Sequence, residues 1–215
     1  MKRCFLVGAA PTALPVLPKP DDFVIAADGG YRTLAAHGIV PDLLLGDFDS
    51  LHDIPPDIPI ERHPIEKDDT DSALAVRLAL EQGCDTFLLD GCLGRQLDHT
   101  LANLSLLAYL AEQGAAAYAL DGDCAVTALH NSTLSFPESA AGRISVFSHS
   151  DTANGVTLHG LYYPLHEATL TRQVALGVSN EFTGKPASVH VEQGTLLIYS
   201  ARKNYAFFLD PSQNL

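Results

Sequence analysis

Short apolar runs and amphipathic stretches alternate through the first half of the chain. Cys4 to Ala9 and Phe23 to Ala27 are continuous apolar segments of strand length, and Leu43-Leu44-Leu45 is too short for a helix but suited to a buried strand. A Pro-rich loop from Pro11 to Pro20 joins the first two strands, and a second Pro-rich connection carries Pro55, Pro56, Pro59 and Pro64. Tyr31 to Ala36 predicts a short helix closed by Gly38. Ser72 to Gln82 predicts a longer one, apolar on most sides through Ala73, Leu74, Val76, Leu78 and Leu80, and stopped at Gly83. Thr86 to Leu89 reads as strand. Leu97 to Gln113 is the longest helical pattern, with Leu97, Leu101, Leu104 and Ala108 at helical spacing and Gly114 as its stop. Strands alternating with helices imply an α/β unit with a mainly parallel sheet and helices on both faces, and such sheets place ligands at the carboxyl ends of their strands.

Beyond Asp121 the pattern changes to short runs rich in Val, Ile, Thr, Tyr and Phe, broken by Gly, Asn and Pro: Ala125 to Leu129, Ile144 to Phe147, Val156 to Tyr163, Ala187 to Val191 and Thr195 to Tyr199. This all-β composition divides the chain into residues 1–121 and 122–215. Gly177-Val178-Ser179-Asn180-Glu181-Phe182 interrupts two β-like runs with polar residues and, on spacing alone, reads as an ordinary turn. The tail from Pro211 to Leu215 is expected to fray.

Composition narrows the partners. An apolar fraction of 47% and a charged fraction of 18% fit a soluble globular protein, and 215 residues suffice for a substantial core. The formal net charge of -13 argues against a nucleic-acid partner and favours, weakly, a cationic small substrate. Cys4, Cys84, Cys92 and Cys124 show neither C-x-x-C nor disulfide-like spacing, which points to reduced thiols in a cytoplasmic protein. Met1-Lys2-Arg3 before an apolar segment has the polarity of a leader, but Pro11 and Pro15 interrupt it, so a first strand is expected there. No segment reaches the ~18 apolar residues that a membrane helix requires.

The chemistry gathers in the first half. Gly46-Asp47-Phe48-Asp49-Ser50 follows a strand and ends in carboxylates; Asp47 and Asp49 flank Phe48 and face the same side. With Lys67-Asp68-Asp69-Thr70-Asp71 at the entrance of the next helix, they offer the oxygen ligands that a hard divalent cation needs, and Lys67 offers a cation for phosphate. The segment therefore reads as a magnesium-nucleotide site, although Asp69 or Thr70 could simply cap the helix. Asp28-Gly29-Gly30 stands between strand and helix, where backbone N–H groups can face an anion; a structural turn is the plain alternative. Gly91 to His99 has the form strand, glycine turn, Arg95, helix start. Arg95 can brace phosphate oxygens, Asp98 can complement the helix dipole or meet substrate or metal, and Asn103 can face the site or cap a loop.

These pieces, in order, resemble the thiamine pyrophosphokinase family: Asp28-Gly29-Gly30, Pro41-Asp42 through Ser50, Lys67 to Asp71, Gly91 through Gly94-Arg95-Gln96-Leu97-Asp98-His99 with Leu101-Ala102-Asn103, and Ser179-Asn180-Glu181. The resemblance implies an N-terminal α/β catalytic domain followed by a C-terminal β-sandwich that binds thiamine. It implies a homodimer with sites shared between subunits, and transfer of diphosphate from Mg-ATP to the thiamine hydroxyl, giving thiamine diphosphate and AMP. Under it, Asp47, Asp49 and Asp71 are magnesium ligands, and Asp98 and Arg95 join them in catalysis. Asp28, Gly29, Gly30, Lys67, Asp68, Thr70, Gly91, Gly94 and Arg95 hold the nucleotide, while Gln96, Asp98, Ser179, Asn180 and Phe182 face the substrate.

One departure stands out. Some family members stack a tryptophan on the pyrimidine shortly after the Ser-Asn pair, and this chain has no tryptophan; Phe182 is the nearest aromatic. A pyrophosphokinase for another heteroaromatic alcohol, such as a hydroxymethylpterin, and a non-catalytic thiamine or nucleotide sensor are the rival readings.

Overall fold

A computed structural model describes residues 2–46, 58–62, 70–122, 124–201 and 204. The chain divides into two compact units, Met1–Leu106 with Ala119–Gly122, and Leu107–Tyr118 with Asp123–Leu215.

The first unit carries five parallel strands: β1 (Arg3–Val7), β2 (Phe23–Ala27), β3 (Leu43–Gly46), β4 (Ile60–Arg62) and β5 (Thr86–Asp90). They lie in the order β4-β3-β2-β1-β5. Registers such as Phe5 against Val24 and Leu6 against Leu89 fix the pairing. A sheet covered on both faces has no polar side, so its strands are unbroken apolar runs, and Phe5, Leu6, Ile25, Leu44, Phe87 and Leu89 are all fully buried. The order matters more than the count. The chain winds outward from β1 through β2, β3 and β4, then returns to place β5 on the other side of β1. The connections leaving β1 and β5 therefore diverge and open a crevice at their carboxyl ends.

Among the described residues the helices are α1 (Gly30–Ala36) and α2 (Asp71–Glu81), in this unit, and α3 (Leu97–Glu112), whose residues divide between the two units at Leu107. A Cβ on Gly30 would collide with the Val7 carbonyl, so only glycine lets α1 start this close to the end of β1. The Thr70 hydroxyl caps α2 by accepting the Ala73 N–H at 3.2 Å, and Asp71 in the first turn complements the helix dipole. The helix thus begins one residue before the predicted Ser72. Helix α3 departs from its predicted face. Leu97 and Leu101 are 75% and 57% exposed, whereas Asn103, Leu106, Leu107 and Leu110 are buried, so the inward stripe is rotated from the one suggested by Leu97, Leu101 and Leu104.

Strand β6 (Ala116–Asp121) contributes residues to both units. The second unit is antiparallel. Its strands are β7 (Cys124–His130), β8 (Thr133–Phe136), β9 (Arg143–Ser148), β10 (Thr152–His159), β11 (Leu165–Thr171), β12 (Gly177–Glu181), β13 (Ala187–His190) and β14 (Thr195–Ala201). One run is β12-β9-β14-β7 and a separate four-stranded sheet is β11-β10-β13-β8. Alternate residues of β7 are buried, as expected of strands with one covered face. The predicted run to Tyr163 ends at His159, because Gly160 turns the chain with φ of 70° and leaves Leu161 in an isolated bridge to Phe182. The polar segment read as a turn is strand β12. Its pairing with β9 is irregular between Gly177 and Asn180, where Ser179 adopts φ of 60°, and a bulge of this kind lets a polar sequence join a sheet.

Candidate active site

The crevice between β1 and β5 forms a cleft of about 400 Å³ in the first unit, walled by Gly8 to Ala10, Asp28, Gly29 and Arg32, Ser72, and the loop Gly91 to Leu93 with Arg95, Gln96, His99, Thr100 and Asn103. Its floor is two loops joined by backbone. Gly8 N–H donates to the Asp90 carbonyl at 2.8 Å and Ala10 N–H to the Gly91 carbonyl at 2.8 Å. Gly91 turns with φ of 64°, and a Cβ there would sit 2.8 Å from the carbonyl oxygens of Gly8 and Ala10, so the loops close this tightly only with glycine. Arg95 adds a third tie, its Nη1 donating to the Ala9 carbonyl at 3.0 Å.

The rest of the second loop is held from α3. Asn103, buried, donates through Nδ2 to the Cys92 carbonyl at 2.6 Å. Thr100 Oγ1 accepts the Gly94 N–H at 3.0 Å and donates to the Gln96 carbonyl at 2.8 Å. Asn103, left between two readings by the sequence, therefore does both: it lines the cleft and fixes its loop.

Asp28 follows β2 with φ of 50°, and its N–H donates to the Leu45 carbonyl at 2.8 Å. Its carboxylate lies where a Cβ on Gly46 would be, at the last residue of β3 before Asp47. The structure thus gathers Asp28, Gly29, Gly91, Arg95 and Gln96 around one cleft. Gly30 is buried against the Val7 carbonyl, and Gly94 shapes the loop with φ of 85°. Thr70 caps α2, Asp71 opens it beside the cleft-lining Ser72, and Asp98 accepts the His99 N–H at 2.9 Å; none of these three lines the cleft. Asp47, Asp49, Lys67 and Asp68 lie outside the described residues. Among the described residues no three metal-binding side chains converge.

Two buried titratable groups belong to this loop. Asp90 is fully buried, and among the described residues neither carboxyl oxygen has a hydrogen-bond partner. Burial pushes its carboxyl above the usual range; the Thr12 hydroxyl and Gly91 N–H oppose this without making well-formed bonds, and the Asp121 carboxylate reinforces it. Burial, with Asp90 nearby, pushes the Cys92 thiol up to about 12. Arg32 and Ser72 line the cleft, and Asp90 lies next to it in sequence, without belonging to any motif legible in the sequence. For Asp90 a signal existed, since it is an acid ending an apolar strand directly before a glycine turn.

The remaining predicted residues lie in the second unit. Asn180 is 2% exposed and its amide holds neighbouring backbone: Nδ2 donates to the Tyr163 carbonyl at 2.7 Å, and Oδ1 accepts the N–H groups of Tyr163 and Glu181, each at 2.9 Å. Ser179 N–H donates to Ser145 Oγ at 3.0 Å. Phe182 is half-buried, edge-on to Phe136 with ring centroids 5.0 Å apart.

Comparison with known proteins adds a family to this geometry. Residues 15–119 match the family model described as thiamin pyrophosphokinase, catalytic domain, and residues 131–196 match thiamin pyrophosphokinase, vitamin B1 binding domain. A thiamine pyrophosphokinase from Bacillus subtilis (strain 168) is 29% identical over 181 residues, which are 81% of this chain and 85% of that one. A solved structure of the thiamine pyrophosphokinase from Bacillus subtilis superposes with a TM-score of 0.84 at 25% identity, covering 93% of this chain and 99% of the other. One from Geobacillus thermodenitrificans gives 0.80 at 26% identity, covering 93% and 97%. The thiamin pyrophosphokinase from Candida albicans shares the fold at 15% identity and a TM-score of 0.74, covering 93% and 88%. With both domain models matched in order along most of its length, the chain belongs to the thiamine pyrophosphokinase family of enzymes.

Proposed function

We propose that this enzyme transfers a diphosphate from Mg-ATP to the hydroxyl of thiamine, releasing AMP and thiamine diphosphate. The observation that carries the reading is the cleft at the β1/β5 switch point, with the cationic side chains Arg32 and Arg95 on walls otherwise made of glycine-rich backbone. Backbone N–H groups and guanidinium forks bind phosphate oxygens without needing a deep pocket. Gly29, Gly91 and Arg95, with Lys67 and Asp68, hold the triphosphate in this proposal. Gly30 and Gly94 set the backbone, and Thr70 fixes the helix that presents Asp71.

The oxygen donors fit a hard cation. Asp28 is delivered to the end of β3, where the chain enters Asp47 and Asp49, and Asp71 opens α2; a magnesium ion would be held by Asp47, Asp49 and Asp71. Such an ion, when bound, supplies charge neutralisation for the phosphates. Arg95 braces phosphate oxygens, the Asn103 bond keeps its loop in register, and a carboxylate, Asp98 or Asp28, receives the hydroxyl proton. Gln96 faces the acceptor.

Residues 1–121 serve as the nucleotide domain and 122–215 as the thiamine domain, with Ser179, Asn180 and Phe182 in the segment that addresses thiamine. A cytoplasmic homodimer with shared sites is part of the proposal, supported by the exposed Leu97 and Leu101 on α3, which nothing covers among the described residues. No helix among the described residues is long and apolar enough to cross a membrane.

Product analysis after incubation with Mg-ATP and thiamine tests the reading. AMP with thiamine diphosphate is expected. ADP with thiamine monophosphate overturns diphosphate transfer, turnover of a hydroxymethylpterin in place of thiamine reassigns the acceptor, and binding without turnover indicates a sensor.

A further inference from the structure

We infer that Asp90 is a positioning residue of the cleft and couples it to a proton: the neutral acid leaves the loops after β1 and β5 joined, the ionised acid works them apart, and nucleotide, which needs them joined, binds with uptake of a proton at Asp90. The inference rests on the nucleotide reading of this cleft and names a residue that the reading does not use.

Asp90 ends β5 directly after Phe87, Leu88 and Leu89, all buried. It is itself 0% exposed, and neither of its carboxyl oxygens has a hydrogen-bond partner among the described residues. A buried polar atom without a partner is rare enough in a folded chain to need a reason. The reason lies in what the backbone here holds. The Asp90 carbonyl accepts the Gly8 N–H at 2.8 Å and the Cys92 thiol at 3.4 Å, and the Gly91 carbonyl accepts the Ala10 N–H at 2.8 Å. Gly8, Ala10, Gly91 and Cys92 all line the cleft. A shift of Asp90 therefore moves both loops.

The groups that face the carboxyl decide which form fits. Burial favours the neutral acid most strongly; the Thr12 hydroxyl, from the loop after β1, and the Gly91 N–H oppose it and are outweighed, while the Asp121 carboxylate at the end of β6 reinforces it. Asp121 also meets the far end of the same turn, its Oδ2 lying 3.2 Å from where a Cβ on Gly94 would be. The Cys92 thiol, which burial pushes up to about 12, brings no charge at neutral pH, and α3 brings the uncharged Asn103 amide to the Cys92 carbonyl. An ionised Asp90 thus repels Asp121 and lacks the solvent that a carboxylate needs; water reaches it as Gly8 and Ala10 release the second loop. A triphosphate seated on Gly8 to Ala10 and Gly91 adds negative charge nearby and holds the loops joined. Both effects favour the neutral acid.

In the complex Asp90 holds its proton more tightly than in the free protein. Where pH lies between its two titration midpoints, affinity for Mg-ATP falls by up to about tenfold per pH unit, and outside that window it is level. Calorimetric titration of the full-length protein with Mg-ATP from pH 5 to 8, beside Asp90→Asn, is the test; ionisation of the nucleotide is common to both proteins and cancels in the ratio of affinities. The wild type is expected to lose affinity relative to Asp90→Asn as pH rises and, in buffers of differing ionisation enthalpy, to take up protons on binding that the variant does not. The carbon-13 resonance of the Asp90 carboxyl is expected to titrate at higher pH in the complex than in the free protein, a readout that needs no variant. Parallel affinities, or one midpoint in both states, overturn the inference. So does potassium chloride that tightens Mg-ATP binding in the wild type and not in Asp90→Asn, because Asp90 would then hold a cation. A wild type that fails to bind Mg-ATP at every pH defeats the nucleotide reading as well, whereas binding that ignores Asp90 leaves that reading standing.

Discussion

Asp90→Asn is expected to stabilise the protein at neutral and alkaline pH and to do little in acid. The side chain is 0% exposed, and neither oxygen is hydrogen-bonded among the described residues. In the unfolded chain it titrates near the ordinary carboxylate value, about 3.9. In the folded chain burial raises it. The folded state then binds the proton more tightly than the unfolded state does. Asp90 detracts nothing below the ordinary value, and stability falls as pH rises from there through the folded value, at about 1.4 kcal/mol per pH unit. Above the folded value the loss is complete. Asparagine has the same shape and never ionises, so the variant lacks this decline. Effective penalties for an unpaired buried charge reach several kcal/mol, and the Thr12 hydroxyl and Gly91 N–H offset part of it. A gain of about 2 kcal/mol at pH 8 is expected, which for a chain of this size moves Tm by roughly 4–8 °C. Near pH 4 the two proteins agree within about 1 kcal/mol. Thermal and urea melts from pH 4 to 8 give the comparison. Parallel stability curves would show that the proton of Asp90 is bound equally in both states. A variant less stable at pH 8 would show a paired carboxylate, and either result defeats the argument.

Three other outcomes follow from the cleft. Asn103→Ala removes the 2.6 Å bond to the Cys92 carbonyl and leaves that oxygen buried, costing roughly 1–3 kcal/mol in denaturant melts and raising KM for nucleotide; an unchanged KM would separate the loop from binding. Arg95→Ala, under the proposed role, weakens nucleotide binding roughly 10- to 100-fold in calorimetry, with Arg95→Lys only partly restoring it because an ammonium cannot reproduce the fork; equal binding in all three places Arg95 outside the phosphate site. In Ellman titration at pH 8, Cys4, Cys84 and Cys92 stay silent in the native protein because they are buried with raised pKa, and about one thiol, the half-buried Cys124, reacts; rapid reaction of all four would contradict the closed floor.

The α/β half was legible because a doubly covered parallel sheet leaves its mark as uniform apolar runs bounded by glycine and proline, and β1, β2, β3 and β5 carry that mark. Strands held by context left little. β4 is only Ile60–Arg62, β6 begins with alanines of low strand propensity, and β11 and β12 mix polar residues whose places are set by pairing with β10 and β9. The same division holds at the cleft. Asp28, Gly91 and Arg95 were found because backbone geometry at a strand-to-helix turn demands particular residues. Arg32 and Ser72 were missed because nothing local distinguishes a cleft-facing side chain from a solvent-facing one. Asn180 was visible as a motif, but its task was not, since the backbone it clamps lies 17 residues away in sequence.

The three ties between the loops after β1 and β5 have a dynamic consequence. Gly8, Ala10 and Arg95 each donate across to, or from, the opposite loop, so neither loop can lift without releasing the other. The amide protons of Gly8 and Ala10 should exchange with solvent at one common rate, set by a single opening event. Insertions tolerated in ordinary surface loops would be excluded from both segments at once.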